Sequence, residues 1–266
     1  MQADAELLVQ GAFWAGQHAL TLFCALLALL LAMTWAGWRL LRTQRSPKSD
    51  SPPRGLNLRT ALGLATVLLG AGFFILLAGQ LNGGPELRRA DQVFADALRA
   101  RVPPAALPVF ALLTHLADTA VLTGLGIGVA VALIALRRPG FAVGWVVAVA
   151  GNSVLNHSLK QVFARDRPLH TDGLALAEGF SFPSGHSSGA VVAYGMLAYL
   201  ALELLPPKWH LPALLTAVTI AFSVGASRLF LRVHFASDVL AGFMSGATWL
   251  ALCIIGIELL RRTAKG

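Results

Sequence analysis

Charge is what this chain has least of. Of its 266 residues, 13% are Asp, Glu, Lys or Arg, against about 25% in an ordinary soluble domain. Acid is the scarcer sign, with 13 Asp and Glu facing 21 Lys and Arg. Such a chain cannot wet its whole surface, which excludes a soluble globular protein and implies an integral membrane one. The 56% share of hydrophobic residues and a mean hydropathy of +0.67 agree.

Cysteine is almost missing. Cys24 and Cys253 both lie inside apolar runs. They allow neither a disulfide framework nor a thiolate metal cluster, and read as small packing residues. A basic N-terminal region is missing too. The first Arg is Arg39, beyond the first apolar run, so the pattern of a cleavable signal peptide is not met. No polar block is large enough to fold separately, which leaves one compact membrane domain.

What is present is a series of long apolar runs. Spanning a bilayer as a helix takes about 20 residues, and seven runs qualify: roughly 14–38, 60–81, 108–136, 141–160, 186–205, 210–227 and 238–260. They are too long and too continuously apolar for barrel strands. The formal net charge of +8 does not imply nucleic acid here, because the basic residues fall in short loops between the runs. The Pro- and Ser-rich stretch 39–59, Arg137-Arg138, Lys208 and Arg261-Arg262-Lys265 share one side if seven spans start outside. Lys and Arg mark the cytoplasmic side, so the C-terminus is expected there. The outer segment 82–108 carries Leu87, Val93, Leu98 and Val102 at near-helical spacing and predicts a short amphipathic surface helix. The small residues of GLGIG (124–128), and Gly242 with Gly246, predict close helix packing.

The same topology gathers three polar clusters on the outer side. The first is Lys160-Gln-Val-Phe-Ala-Arg-Asp-Arg167-Pro168. Pro168 disfavours helix at Arg167, and a turn there can bring both cations onto one small anion. Lys offers a compact charge and Arg a planar fork matched to phosphate oxygens. The second is Pro183-Ser184-Gly185-His186, at the start of an apolar run. Ser184 is a favoured N-cap, and Gly185 lets backbone come close to a ligand. The first turn favours an anion, with the titratable His186 beside it. The third runs from Ser227-Arg228 to His234 and Asp238. His234 and Asp238 stand four apart, on one helical face. A carboxylate on one imidazole nitrogen leaves the other free to attack. Arg228 adds a third cation. Two histidines with different partners point to a nucleophile and a general acid.

These clusters resemble the three motifs of the type 2 phosphatidic acid phosphatase (PAP2) superfamily, all complete here as KQVFARDRP, PSGH and SRLFLRVHFASD. The resemblance covers about 60 to 260. It implies an all-α, polytopic membrane bundle with a six-helix core and one additional N-terminal transmembrane helix. The division expected is 1–59 for that helix and its basic loop, and 60–266 for the phosphatase domain. It implies a metal-independent lipid phosphatase with no cofactor. His234 would form a phosphohistidine, Asp238 would orient it, and His186 would protonate the leaving oxygen. Lys160, Arg167, Arg228, Ser184 and the Gly185 amide would hold the phosphoryl oxygens. The substrate would be a lipid phosphate of the bilayer: undecaprenyl pyrophosphate, phosphatidic acid, phosphatidylglycerophosphate or a lipid A phosphate. An isoprenoid pyrophosphate is the slight favourite, and a bacterial inner membrane, with the site outward, is the expected location. A phosphotransferase using the same residues and a non-catalytic lipid-binding or transport protein are the alternatives. Arg165 and Arg232 read as snorkelling anchors. His115, Asp118, Asn152, Asn156 and His157 read as supports or helix-packing residues rather than substrate contacts.

Overall fold

The computed structural model describes residues 2–43, 58–168 and 178–263. The basic stretch 44–57 and most of the 169–182 loop, His170 included, lie outside the described residues. Within the described residues every regular element is helical. The α-helices are α1 (Gln2–Gln17), α2 (Ala19–Thr43), α3 (Leu58–Gly83), α4 (Glu86–Arg101), α5 (Leu107–Thr114), α6 (Thr119–Ala135), α7 (Pro139–Phe163), α8 (Gly185–Leu204), α9 (His210–Phe230) and α10 (Ala236–Thr263). Five of these, α2, α3, α8, α9 and α10, are both long and apolar enough to cross a bilayer. Helix α6 has 17 residues, at the short end of the usual range. Helix α7 has 25, but Asn152, Asn156 and Lys160 dilute its apolar character.

Two of the expected runs divide. The run 14–38 becomes α2, starting at Ala19, and a separate α1 that packs on α4. The run 108–136 breaks at 115–118: α5 ends in a tight turn over His115–Ala117, and Asp118 takes an extended ψ of 147° before α6 starts. The physical reason is local. The Asp118 carboxylate accepts from His115 three residues back and leaves α6 without a side-chain cap, so a polar pair stops one helix and opens the next inside an apolar stretch. The amphipathic α4 forms as expected, with Leu98 buried, but it also buries Asp91.

Three buried clusters hold the bundle together around the motif residues. Trp145, Ala148, Val192 and Met196 join α7 to α8. Phe182 and Ala241 sit with Leu81 beneath the Pro183-Ser184 turn. Phe110 and Phe230 stack at 3.9 Å and, with Leu98, Leu231 and Val233, support the short α9–α10 connection. That connection carries His234.

Helix α10 lies backbone-close against the start of α8. A Cβ on Gly242 would come 2.6 Å from the Ser184 carbonyl oxygen, and one on Gly246 would come 2.8 Å from that of Ser188. The packing expected of this pair is what is seen. The GLGIG stretch differs: a Cβ on Gly124 or Gly128 meets nothing within 4 Å. Those glycines face open space rather than a packed helix. Gly242→Leu is therefore expected to cost at least about 1–3 kcal/mol through overpacking, whereas Gly72→Leu, in an open position, changes little. Thermal unfolding of the two variants in detergent checks this.

Candidate active site

Helix α7 ends where Ala164 adopts a left-handed conformation, with φ of 41°. The chain then turns across the end of the bundle, and this brings Arg165 and Arg167 back over it. Helix α8 opens on Ser184, whose hydroxyl accepts from the Ser187 N–H and the Ser187 hydroxyl. The Ser184 side chain is wholly buried and committed to this cap. Asn156 of α7 donates to the Pro183 carbonyl and to the Ser188 hydroxyl, at 3.4 and 3.3 Å. Asn152 donates to the same hydroxyl. The two asparagines thus clamp α7 to the Pro183–Ser188 turn. A Cβ on Gly185 would come 2.9 Å from Asn156 Oδ1, so glycine is needed for that approach. His157, by contrast, is exposed.

The structure brings the three sequence clusters to one cavity of about 900 Å³, which Lys160, Arg167, Gly185, His186, Arg228 and His234 line together. His234 is buried. Its Nδ1 lies 3.3 Å from Asp238 Oδ2, and its Nε2 lies 3.2 Å from Arg167 Nη1. A guanidinium only donates, so Nε2 must carry a lone pair and Nδ1 the proton. Burial, then the positive charges of Arg228 and Arg167, hold the His234 imidazole well below the ordinary histidine range. It is a neutral base with its free electron pair turned into a cationic cradle.

The cations are set in different ways. Arg167 donates to the carbonyls of Glu178, Gly179, Phe180 and Val233 as well as to His234, which ties the loop before Pro183 to the α9–α10 connection. Lys160 donates to the Phe180 carbonyl. Arg228 is 2% exposed and donates from Nη1 to Thr114 Oγ1 at 2.6 Å. Its Nε is buried with no partner among the described residues. An unmatched donor on a buried cation is costly.

Arg165 corrects the sequence reading. It is no surface anchor: Nη1 donates to Asp238 Oδ1 at 2.7 Å and to Ser237 Oγ at 2.6 Å, and Nη2 to Asp91 Oδ2 at 2.8 Å. Its guanidinium also stacks over Phe235, 4.3 Å from the ring centre. Asp91, 3% exposed, further accepts from the Ser237 N–H and hydroxyl. So α4, which looked like a surface filler, holds the carboxylate that holds Arg165. Hydropathy spacing hid this, because Asp91 stands on the buried face of an amphipathic helix where an apolar residue is expected. His115 and Asp118 fall beside the cavity, with Asp118 Oδ1 3.0 Å from His186 Nε2.

A helical membrane bundle with paired histidines in a cationic cradle defines a phosphate-handling membrane enzyme. Comparison with known proteins gives the family. The family model for the PAP2 superfamily matches residues 140–262, the segment that contains all three motifs. The chain is 31% identical over 176 residues to phosphatidylglycerophosphatase B of Bacillus subtilis (strain 168), covering 65% of this chain and 86% of that protein. The crystal structure of a transmembrane PAP2 type phosphatidylglycerolphosphate phosphatase from Bacillus subtilis aligns with a TM-score of 0.68 and 29% identity, over 73% of this chain and 96% of that one. The chain belongs to the PAP2 superfamily and is a multi-pass membrane lipid phosphatase.

Removing Arg165 would leave Asp91 and Asp238 buried without their shared partner. Breaking a buried ion pair on one side costs about 3–5 kcal/mol. Arg165→Ala is expected to lose that much stability, and Asp91→Asn added to it should restore part of the loss. Unfolding of the single and double variants in detergent measures both.

Proposed function

We propose that the protein removes a terminal phosphate from an anionic lipid at the outer face of a bacterial inner membrane, through a phosphohistidine on His234 and without a metal. His234 Nε2 attacks phosphorus as the bond to the leaving oxygen breaks, and His186 gives that oxygen its proton. Water then attacks phosphorus, the P–N bond breaks, and His186 takes the proton from water as inorganic phosphate departs. Asp238 keeps the Nδ1 proton in place throughout, the role of an orienting carboxylate. Arg167 turns its Nη1 donor from Nε2 to a phosphoryl oxygen, and Lys160 and Arg228 take the others. The Gly185 and His186 N–H groups complete the cradle at the start of α8. Phosphoryl transfer needs chiefly positioning and stabilisation of charge on the equatorial oxygens, which three cations and a helix start provide from the chain itself. The observation that carries this reading is the Nε2 lone pair, fixed by Asp238 on one side and aimed into the cradle on the other.

The same cavity extends from the cradle between α6 and α7, past Leu122, Gly126, Ala130 and Ile134. Ile127, Val131 and Ile134 are largely exposed, so this groove opens sideways to lipid. A hydrocarbon tail fits there while the headgroup meets the cations. Phosphatidylglycerophosphate is the first substrate, supported by the likeness to the phosphatase of that name. The groove also favours an isoprenoid pyrophosphate: Thr119 to Ile134 is roughly 22 Å at about 1.5 Å of rise per residue, longer than one leaflet of about 15 Å. The N-terminus lies outside and the C-terminus in the cytoplasm in this arrangement.

Purified protein in detergent should release phosphate with EDTA present, from phosphatidylglycerophosphate, undecaprenyl pyrophosphate or phosphatidic acid. His234→Ala should lose roughly 10³-fold or more while inserting normally, and brief incubation with labelled substrate should mark wild type with acid-labile phosphate. Retained release by His234→Ala, or loss of wild-type release with EDTA, contradicts the mechanism.

The depressed His234 value gives a pH prediction. Its imidazole remains neutral, hence nucleophilic, as pH falls through 6.5, the ordinary histidine value. The acid limb of kcat/KM that belongs to the nucleophile is therefore expected below pH 6.5, and a pH–rate profile locates it.

A further inference from the structure

Asp118 stands at the residue where a side chain ordinarily caps the following helix, with φ of −61° and ψ of 147°, yet it makes no cap hydrogen bond to α6. Both its oxygens are used elsewhere. Oδ1 accepts from His186 Nε2 at 3.0 Å, and Oδ2 accepts from His115 Nδ1 at 2.6 Å. The carboxylate is partly open to solvent and His115 is exposed, whereas His186 is mostly enclosed. Its neighbours Ala117 and Thr119 line the same cavity as the phosphate cradle. The break at 115–118, which interrupts an otherwise apolar run, is what delivers this carboxylate to the site.

We propose that Asp118, backed by His115, is the positioning residue for His186. It holds the ring by Nε2, leaves Nδ1 as the nitrogen that serves the substrate, and links the enclosed imidazole to an exposed one. A capping residue drawn from its helix to two histidines is the signature of this role. Burial alone would raise the Asp118 carboxyl, but the hydrogen bonds from His115 and His186 outweigh it and hold it below the usual carboxylate value. Asp118 is thus an anion at neutral pH and fixes the His186 proton on Nε2. A proton lost to the leaving oxygen passes only between His186 and substrate. Asp118 and His115 exchange none with the substrate.

This rests on the reading of His186 as proton donor, so the test separates the two. General acid help matters for a poor leaving group such as a glycerol alkoxide, and little for nitrophenolate. Asp118→Ser restores a cap for α6 while removing the link to His186, and Asp118→Asn keeps the shape while removing the charge. Each variant, with His186→Ala, is assayed on phosphatidic acid and on 4-nitrophenyl phosphate, after thermal unfolding shows that it is folded. For both Asp118 variants, kcat on phosphatidic acid is expected to fall at least about 10-fold, a part of the 10²–10⁴ that general acid catalysis supplies. KM should stay unchanged, and the rate on 4-nitrophenyl phosphate should fall by less than about 3-fold. His115→Gln should lose less, and add nothing to Asp118→Ser. If His186→Ala shows this selectivity for the poor leaving group and neither folded Asp118 variant does, the proposal is overturned and the donor reading stands. If His186→Ala loses equally on both substrates, the donor reading falls and the proposal with it.

Discussion

Two carboxylates on different helices share one guanidinium, and the end of the bundle that carries the motifs is arranged around that bridge. Asp91 on α4 and Asp238 on α10 are both buried, and Arg165 joins them. Ionised groups leave water only at high cost unless paired and fully hydrogen-bonded. Here every partner is supplied by chain: the Ser237 hydroxyl and N–H, the Phe235 N–H and the guanidinium itself. The Asp238 oxygen turned away from Arg165 is the one that meets His234. The bridge therefore does more than hold helices together. It determines which face of the carboxylate is left for the imidazole.

A second balance sits beside it. Lys160, Arg167 and Arg228 crowd one cavity with few fixed negative charges among them. Carbonyl oxygens of residues 178–180 and 233 hold the first two in place without neutralising them. Such a site concentrates positive charge, which is what the proposed phosphate chemistry requires. The apolar wall between α6 and α7 adjoins it directly, so one cavity has a charged end and an apolar one.

Much of this was legible in the sequence. The scarcity of charge and the apolar runs indicated a helical membrane bundle, and three short motifs named the residues that the structure gathers in one cavity. Motifs are legible because their spacing is local: His234 and Asp238 are four apart on one helical face. Arg165 was misread because its partners lie 73 and 74 residues away, and nothing local distinguishes it from an anchoring arginine. The break at 115–118 was missed because apolar residues continue on both sides of it. A polar pair such as His115 and Asp118 within a run was the available signal. The GLGIG glycines suggested packing by composition alone, whereas only three-dimensional placement shows that two of them border empty space.

The close seat of α10 on α8 has a further consequence. It locks together the helices that start at Gly185 and follow His234 through backbone contact, while the apolar groove is walled mainly by α6 and α7. Both histidines thus stand at the start of α8 and on the α9–α10 connection, while Lys160 reaches the same cavity from α7. On the proposed reading, groove residues such as Ile127, Val131 and Ile134 stand on a helix that carries neither histidine, so their bulk can vary with tail length while the α8–α10 seat keeps its spacing.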